Sequence, residues 1–310
     1  MKILIPGGAG YIGSVLTPYL LEKGFEVTVV DNFMYKQNSL AAVCHHPSFR
    51  IFNGDMRNQE LMKQLVDWAD VVIPLAALVG APLCTKDPYT ATSINHEATV
   101  ALIHMVPPQK LILMPTTNSA YGTGDKNHFC TELSPLNPIS QYAEDKVKVE
   151  RVLMQHPNAI SFRLATVFGM SPRMRTDLLV NDFVYRAVHD KAVLLFEGHF
   201  KRNYIHVRDV CKAFLHGITN FQNMRGQIYN VGLCSANLSK RELCEHIQKQ
   251  IPAFTFVEAP IGNDPDQRNY IVSNDKIKAT GFNPDVSMDD GIKELIKGYA
   301  MIKNSVYSNV

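Results

Sequence analysis

Tyr142 and Lys146 stand four residues apart in the run Tyr-Ala-Glu-Asp-Lys, a few residues after Pro138. That spacing puts two side chains on one face of a helix, and a proline marks where such a helix can open. A phenol with a pKa near ~10 is a weak base at neutral pH, but a neighbouring ammonium favours the phenolate. The pair could therefore take a proton from a hydroxyl group. A second stretch, Gly7-Gly-Ala-Gly-Tyr-Ile-Gly13, suits a different purpose. Its glycines let backbone come close to a ligand, as phosphate-holding loops require.

The flanking elements decide what that loop holds. Lys2-Ile-Leu-Ile-Pro6 reads as a buried parallel strand, and residues 11–23 carry apolar side chains at helical spacing (Ile12, Val15, Leu16, Tyr19, Leu20). Gly24 ends the helix, residues 25–30 form a second strand, and Asp31 stands at its carboxyl end. Strand, tight turn, helix, strand and acid together form a dinucleotide fingerprint. The positive end of the helix faces the pyrophosphate. Asp31 can accept hydrogen bonds from a ribose diol and repels a 2′-phosphate, so the expected cofactor is NAD and not NADP. A positive nicotinamide ring would strengthen the pull toward phenolate, and hydride could leave the carbon whose hydroxyl Tyr142 deprotonates.

The same rhythm continues. Strand signals at 49–52, 70–75, 110–114 and 159–164 end respectively in Asn53-Gly-Asp55, Ala76-Ala77, Pro115-Thr-Thr117 and Ala165-Thr166, with helical stretches between them. Repeated βα units imply an α/β fold, a Rossmann-type doubly wound parallel sheet covered on both faces, with ligands at the carboxyl ends of its strands. Beyond residue 169 the pattern loosens into a loop, a helix near 177–190, and strands near 193–196 and 202–205. The expected division is an NAD-binding domain over 1–168, with 207–232 returning to it, and a smaller C-terminal α/β substrate-binding lobe over 169–310. A capping box, Ser239-Lys-Arg-Glu242, opens another helix, and a last one runs from 288 to 302.

Composition fits this reading. With 310 residues, 46% hydrophobic, the chain can bury a sizeable core, and a formal charge of +2 gives no reason to expect nucleic acid or an anionic membrane as partner. The six cysteines form no C-x-x-C pair, which points to reduced thiols, no metal centre and a cytoplasmic protein. The first strand starts at residue 2, leaving no room for a signal peptide. His45 and His46 lack a carboxylate or cysteine at ligand spacing.

These features resemble the extended short-chain dehydrogenase/reductases of the nucleotide-sugar epimerase/dehydratase type. The resemblance spans nearly the whole chain. It rests on the glycine run, Asn53-Gly-Asp55, Leu75-Ala-Ala77, Asn95, Thr117-Asn-Ser-Ala-Tyr-Gly122, Asn137-Pro-Ile-Ser-Gln-Tyr142 with Lys146, Arg202-Asn-Tyr-Ile-His-Val-Arg-Asp209 and Gly281-Phe-Asn-Pro284. It implies that Thr117 hydrogen-bonds the reacting hydroxyl and that Lys146 also holds the nicotinamide ribose. Cofactor contacts would come from Gly7, Gly10, Tyr11, Ile12 and Gly13, from Asp31 and Asn32, from Asp55 and Met56, and from Leu75, Ala76, Ala77 and Asn95, besides Tyr142 and Lys146. The nucleotide-sugar substrate would meet Thr117, Asn118, Thr166, Asp177 and Asn181, with Arg202 and Arg268 on its diphosphate. Arg173 and Arg175 read as solvated loop residues, Cys84 as a buried thiol near the sugar loop, and His206 as a support of the fold. Homodimerisation through the Tyr142 helix and its neighbour is also implied.

The residues beside Thr117 narrow the chemistry. Members that eliminate water carry Asp-Glu there, an acid for the departing hydroxyl and a base for the C-H. This chain has Asn118-Ser119, so dehydration is disfavoured. Oxidation at C4 of a nucleotide-linked sugar remains, with release of the 4-keto sugar or return of hydride to the opposite face as in 4-epimerases. A redox sensor that binds NAD without turnover is a third reading, opposed by Thr117, Tyr142 and Lys146. The segments from Leu75 to Cys84, Asp177 to Asp182 and Phe200 to Val207 look like bacterial GDP-heptose 4-dehydrogenases of capsule-sugar pathways. The motifs leave heptose against hexose, and guanine against uracil, open.

Overall fold

The computed structural model describes residues 1–123, 128–259 and 268–302. The chain begins with β1 (Lys2–Pro6), α1 (Gly13–Glu22) and β2 (Glu26–Asp31), then β3 (Phe49–Asn53) and α2 (Gln59–Trp68). Ile3, Leu4 and Ile5 are wholly buried, because β1 is covered on both faces; this explains a continuous apolar run where an exposed sheet would alternate. Gly24, at φ 83°, turns the chain from α1 into β2.

β4 (Val71–Val72) is shorter than the 70–75 stretch suggests. Ile73 N and Leu75 N still donate to Leu4 O and Pro6 O of β1, both at 2.8 Å. Pro74 has no N–H to offer the neighbour on the other side, so pairing stops there. A broken helical segment follows: α3 (Ala81–Lys86), α4 (Pro88–Thr92), a π-helical turn (Ser93–Ala98) and α5 (Thr99–Met105). β5 (Leu111–Thr117) ends in a 3-10 turn (Asn118–Tyr121); α6 (Gln141–Leu153), capped by the Ser140 side chain, leads to β6 (Ala159–Leu164).

At Ala165 the chain leaves this sheet: its N–H donates to Val231 O at 2.9 Å, and the next residues form β7 (Thr166–Phe168) in a different sheet. Then come α7 (Leu179–His189), β8 (Ala192–Leu195), β9 (Lys201–His206), α8 (Val207–Thr219), α9 (Phe221–Met224) and β10 (Gln227–Val231). The chain continues through β11 (Asn237–Ser239), α10 (Lys240–Gln250), β12 (Thr255–Glu258), α11 (Asp275–Lys278) and α12 (Met288–Tyr299), with the Ser239/Glu242 capping box formed as expected.

The large sheet has seven parallel strands in the order β10-β6-β5-β4-β1-β2-β3, the Rossmann-type arrangement expected from the sequence. Strand order reverses between β1 and β4, where such sheets open a ligand crevice at their carboxyl ends. Two smaller sheets, β11-β9-β7 and β12-β8, stand outside the large sheet, and a separate apolar cluster gathers Phe168, Tyr204, Leu243, Phe254, Leu295 and Tyr299. Tyr11 of the glycine run belongs to that core as well.

A buried polar network fixes α6. Glu150 Oε2 accepts from Thr116 Oγ1 of β5 (2.9 Å) and Ser161 Oγ of β6 (2.7 Å), while Arg163 Nη2 approaches Glu150 Oε1 at 2.6 Å. Arg163 also donates to the Tyr121 hydroxyl (3.0 Å), which donates to Asn230 Oδ1 of β10 (2.7 Å). Three strands and the turn after β5 thus grip the helix that carries Tyr142.

Candidate active site

The glycine run occupies the crevice. A Cβ on Gly7, at φ 77°, would lie 2.3 Å from Ala76 N, so only glycine lets the chain after β4 cross here. A Cβ on Gly13 would lie 2.5 Å from Gly8 O, so α1 and the loop also pack too tightly for a side chain. Gly10 faces open space apart from Gly7 O at 3.1 Å. The N–H groups of Tyr11, Ile12 and Gly13 have no partner among the described residues, and they sit at the positive end of α1.

Beside them runs a groove of about 720 Å³, part of it open to solvent, lined by Gly7, Gly10, Asp31, Asn32, Asp55, Met56, Leu75, Ala76 and Ala77 among others. With free N–H groups at a helix terminus, glycines where side chains would block approach, and a carboxylate at the end of β2, the residues present fit a dinucleotide.

Asp31 accepts from Ala9 N (3.0 Å) and Phe33 N (2.9 Å); burial raises its pKa, and these two bonds together with Arg173 oppose the rise. Asp55 is held at about 2, chiefly by hydrogen bonds from Arg57, and Asn32 Nδ2 reaches it at 3.3 Å.

The side chains of three residues expected at the ligands are bonded to protein. The Tyr11 side chain turns away from the groove: its hydroxyl donates to Gly169 O (2.7 Å) and accepts from Asn181 Nδ2 (3.3 Å), leaving only its backbone for a ligand. Asn181, expected at the substrate, is fully buried and committed to Gly169 N (3.0 Å), Arg175 O (2.8 Å) and Tyr11. Asn95, expected at the cofactor, is likewise fully buried and clasps the backbone of Leu78, accepting from its N–H (2.8 Å) and donating to its O (2.9 Å). A buried amide must satisfy both its donor and its acceptor, and here protein backbone does so. Asn95 and Asn181 shape the walls of the cleft.

α6 packs against the 118–121 turn, against β5, which ends at Thr117, and against α3, bringing Tyr142 and Lys146 near Cys84. Thr117 Oγ1 accepts from Ser119 N at 3.0 Å. Burial pushes the Tyr142 phenol up to about 12, Cys84 adds to the rise, and the guanidinium groups of Arg175 and Arg268 oppose it. Burial holds the Lys146 ammonium down at about 8, against the opposing pull of Cys84 and Asp145. Lys146 Nζ lies 6.0 Å from the centre of the Tyr142 ring. Two arginines from outside α6 thus add positive charge around the phenol. Burial also raises the Cys84 thiol, whose Sγ contacts Leu78 O at 3.3 Å; it borders the site as an inert neighbour.

On the substrate side, Asn118 is wholly buried and neither atom of its amide has a partner among the described residues. Ser119 Oγ accepts from Arg268. Arg202, on β9, is 3% exposed, and Thr166 lies half-buried on β7. Arg173 and Arg175, read from sequence as solvated, are 3% and 7% exposed. Asp177 pairs with Arg175 at 2.5 Å. The expected support role of His206 is visible in its ring, which caps α8 and meets Glu294 Oε1 at 3.2 Å. Sequence reasoning missed Tyr35, whose ring lines the groove; no spacing marks it. For the wall opposite, the signal in the sequence is the i, i+2 arginine pair Arg173/Arg175.

The sequence signature of the NAD dependent epimerase/dehydratase family matches residues 3–232. The chain belongs to that family. Its members are NAD-dependent enzymes, and NAD is the cofactor the groove accommodates. The low-salt glycan biosynthesis protein Agl12 of Haloferax volcanii is 29% identical over 96% of this chain and 98% of its own. Among solved structures, DesIV, a dTDP-glucose 4,6-dehydratase from Streptomyces venezuelae with NAD bound, is 25% identical with a TM-score of 0.83, covering 97% of each chain. A UDP-glucuronic acid 4-epimerase from Bacillus cereus shares the fold at 21% identity, with a TM-score of 0.86 over 97% of this chain and 99% of its own. Among the described residues no helix is long and apolar enough to cross a membrane.

Proposed function

We propose that this family member oxidises C4 of a nucleotide-linked sugar to a 4-keto sugar. The observation that carries the reading is the packing of α6, which bears Tyr142 and Lys146, against β5 and the turn that follows Thr117, while the two residues after Thr117, Asn118 and Ser119, supply neither acid nor base. In this reading Tyr142 takes the C4 hydroxyl proton, Thr117 orients that hydroxyl, and Lys146 holds the ribose beside it. NAD, when bound, supplies the hydride acceptor. Arg175 and Arg268 stabilise the phenolate as the proton moves. Elimination of water lacks its proton carriers, since an amide and a serine bound by arginine do neither job.

The substrate class is a GDP-linked heptose or a related surface-glycan sugar. The likeness of three segments to GDP-heptose 4-dehydrogenases and the glycan-biosynthesis role that names the Haloferax relative support it. Arg202, Arg268, Thr166 and Asp177 would face the nucleotide sugar. Assembly as a homodimer through α6 and its neighbouring helices belongs to the same reading, and sedimentation tests it.

The deciding experiment incubates the purified protein with NAD and a panel of nucleotide sugars deuterated at C4, with mass detection. Net oxidation leaves deuterium on the nicotinamide and gives a keto sugar that borohydride can trap. A labelled C4 epimer without trappable keto sugar would replace this reading with epimerisation.

A further inference from the structure

The turn after β2 carries an unusual backbone. Phe33 and Lys36 adopt φ values of 50° and 52°, and Lys36 N donates to Phe33 O at 2.8 Å. Left-handed backbone costs a residue other than glycine roughly 1–2 kcal/mol, so it persists only where surroundings impose it. Asp31 Oδ1 holds Phe33 N, and Asn32 Oδ1 holds Met34 N at 3.2 Å. The residue bracketed by this strained turn is Tyr35. Its ring lies on the guanidinium of Arg173, with Cζ 4.0 Å from the ring centre. Its hydroxyl is buried and has no hydrogen-bond partner among the described residues.

Arg173 arrives from the opposite side of the groove. The chain that carries it is stitched to the start of α1: Ser171 Oγ donates to Tyr11 O (2.7 Å) and Arg173 N to Ser14 Oγ (3.2 Å). Arg173 is almost wholly buried, yet it and Tyr35 both line the groove with Gly7, Gly10 and Asp31. A buried guanidinium therefore stands in the same cavity as the glycine loop, whose helix terminus already offers unpartnered N–H groups. Two independent sources of positive charge meet in one groove. The Arg173 guanidinium donates to Met174 O at 2.6 Å; an anion with several oxygens would meet its charge and the helix terminus together, since a guanidinium recognises phosphate by charge-assisted hydrogen bonds.

We propose that Arg173, held in place by stacking on Tyr35, binds the diphosphate of the dinucleotide from the second lobe, so that the cofactor is gripped from both sides of the groove. The proposal rests on the family's cofactor and is independent of which sugar is oxidised. Because Arg173 also acts on Asp31, the competing account is that it only screens that carboxylate.

Calorimetry separates the two without any turnover. NAD and ADP-ribose carry the diphosphate, whereas adenosine carries only the ribose diol that Asp31 would hold. Arg173→Met should weaken NAD and ADP-ribose by about ten- to a hundredfold, change adenosine by less than about threefold, and flatten the salt dependence of NAD binding. Tyr35→Leu should produce a smaller loss in the same direction, because the guanidinium loses its platform. Arg173→Lys, which keeps charge without the fork, should fall between wild type and Arg173→Met, and serves in its place if the methionine variant does not fold. NAD affinity unchanged in Arg173→Met overturns the proposal. So does an equal loss for adenosine and NAD, which would assign Arg173 to Asp31 alone.

Discussion

Lys146 and Tyr142 are both held against their charged forms, the ammonium at about 8 and the phenol at about 12, chiefly by burial. The consequence for stability has a definite sign. The folded pKa of Lys146 lies below the value near ~10.4 of an unfolded chain, so between the two the unfolded state binds more protons and stability rises with pH. Below about pH 8 the penalty is present in full. Lys146→Met should therefore raise stability at neutral pH by roughly 1–3 kcal/mol while removing activity, and thermal melts of both proteins check it. A melting temperature that falls would mean the ammonium is better solvated than its burial implies. Tyr142→Phe should cut turnover by at least ~10²–10⁴ and leave NAD affinity nearly unchanged, read by single-turnover absorbance of the reduced nicotinamide. These residues were legible because their spacing is local and their chemistry specific. Tyr35 and Arg173 were not, since their stack joins segments far apart in the chain. Asn95 and Asn181 were read as ligand contacts, whereas their buried amides bond protein groups; an amide serves a ligand or a wall equally well, and packing decides which.

At the level of elements, α6 is the part on which catalytic geometry depends, and Glu150 anchors it about two helical turns beyond Tyr142. Its carboxylate is almost completely buried against Arg163, Thr116 and Ser161. Removing one partner of such a pair leaves an uncompensated charge at a cost of about 3–5 kcal/mol. Glu150→Ala should lose that much in urea unfolding, whereas a double change of Glu150 and Arg163 to apolar residues should recover much of it. A loss below about 1 kcal/mol would show that water reaches the pair. The strands themselves were readable from continuous apolar runs, because parallel strands covered on both faces need no alternation. β4 was read too long, since its apolar pattern runs on past the proline that ends its pairing with β5. In the two small sheets β8 and β9 were read, whereas β7, β11 and β12, three or four residues each, carry too short a pattern.

For the molecule as a whole, distant parts of the chain are joined where the glycine loop meets Gly169 and Asn181, and where α12 meets the end of β9. Burial alone would raise Glu294, but the hydrogen bond and charge of His206, with Met170 N and Arg208, hold it at about 2. A carboxylate depressed in the folded state stabilises fully above its unfolded value near ~4.3 and loses that contribution as pH falls toward about 2. Glu294→Gln should therefore lower the melting temperature at neutral pH and flatten its decline between about pH 5 and 3. Parallel declines in the two proteins would remove Glu294 from the acid response. The path of the chain through the sheet has a further effect during synthesis. β6 gains its outer neighbour only from residues 227–231, after the strands β7 to β9 and helices α7 to α9 have been made. Until that segment clears the ribosome, a strand whose six residues are all buried in the finished protein stands as an open sheet edge. A nascent chain paused between β6 and β10 is thus the form most exposed to aggregation, and chaperone occupancy on translating ribosomes should peak in that interval.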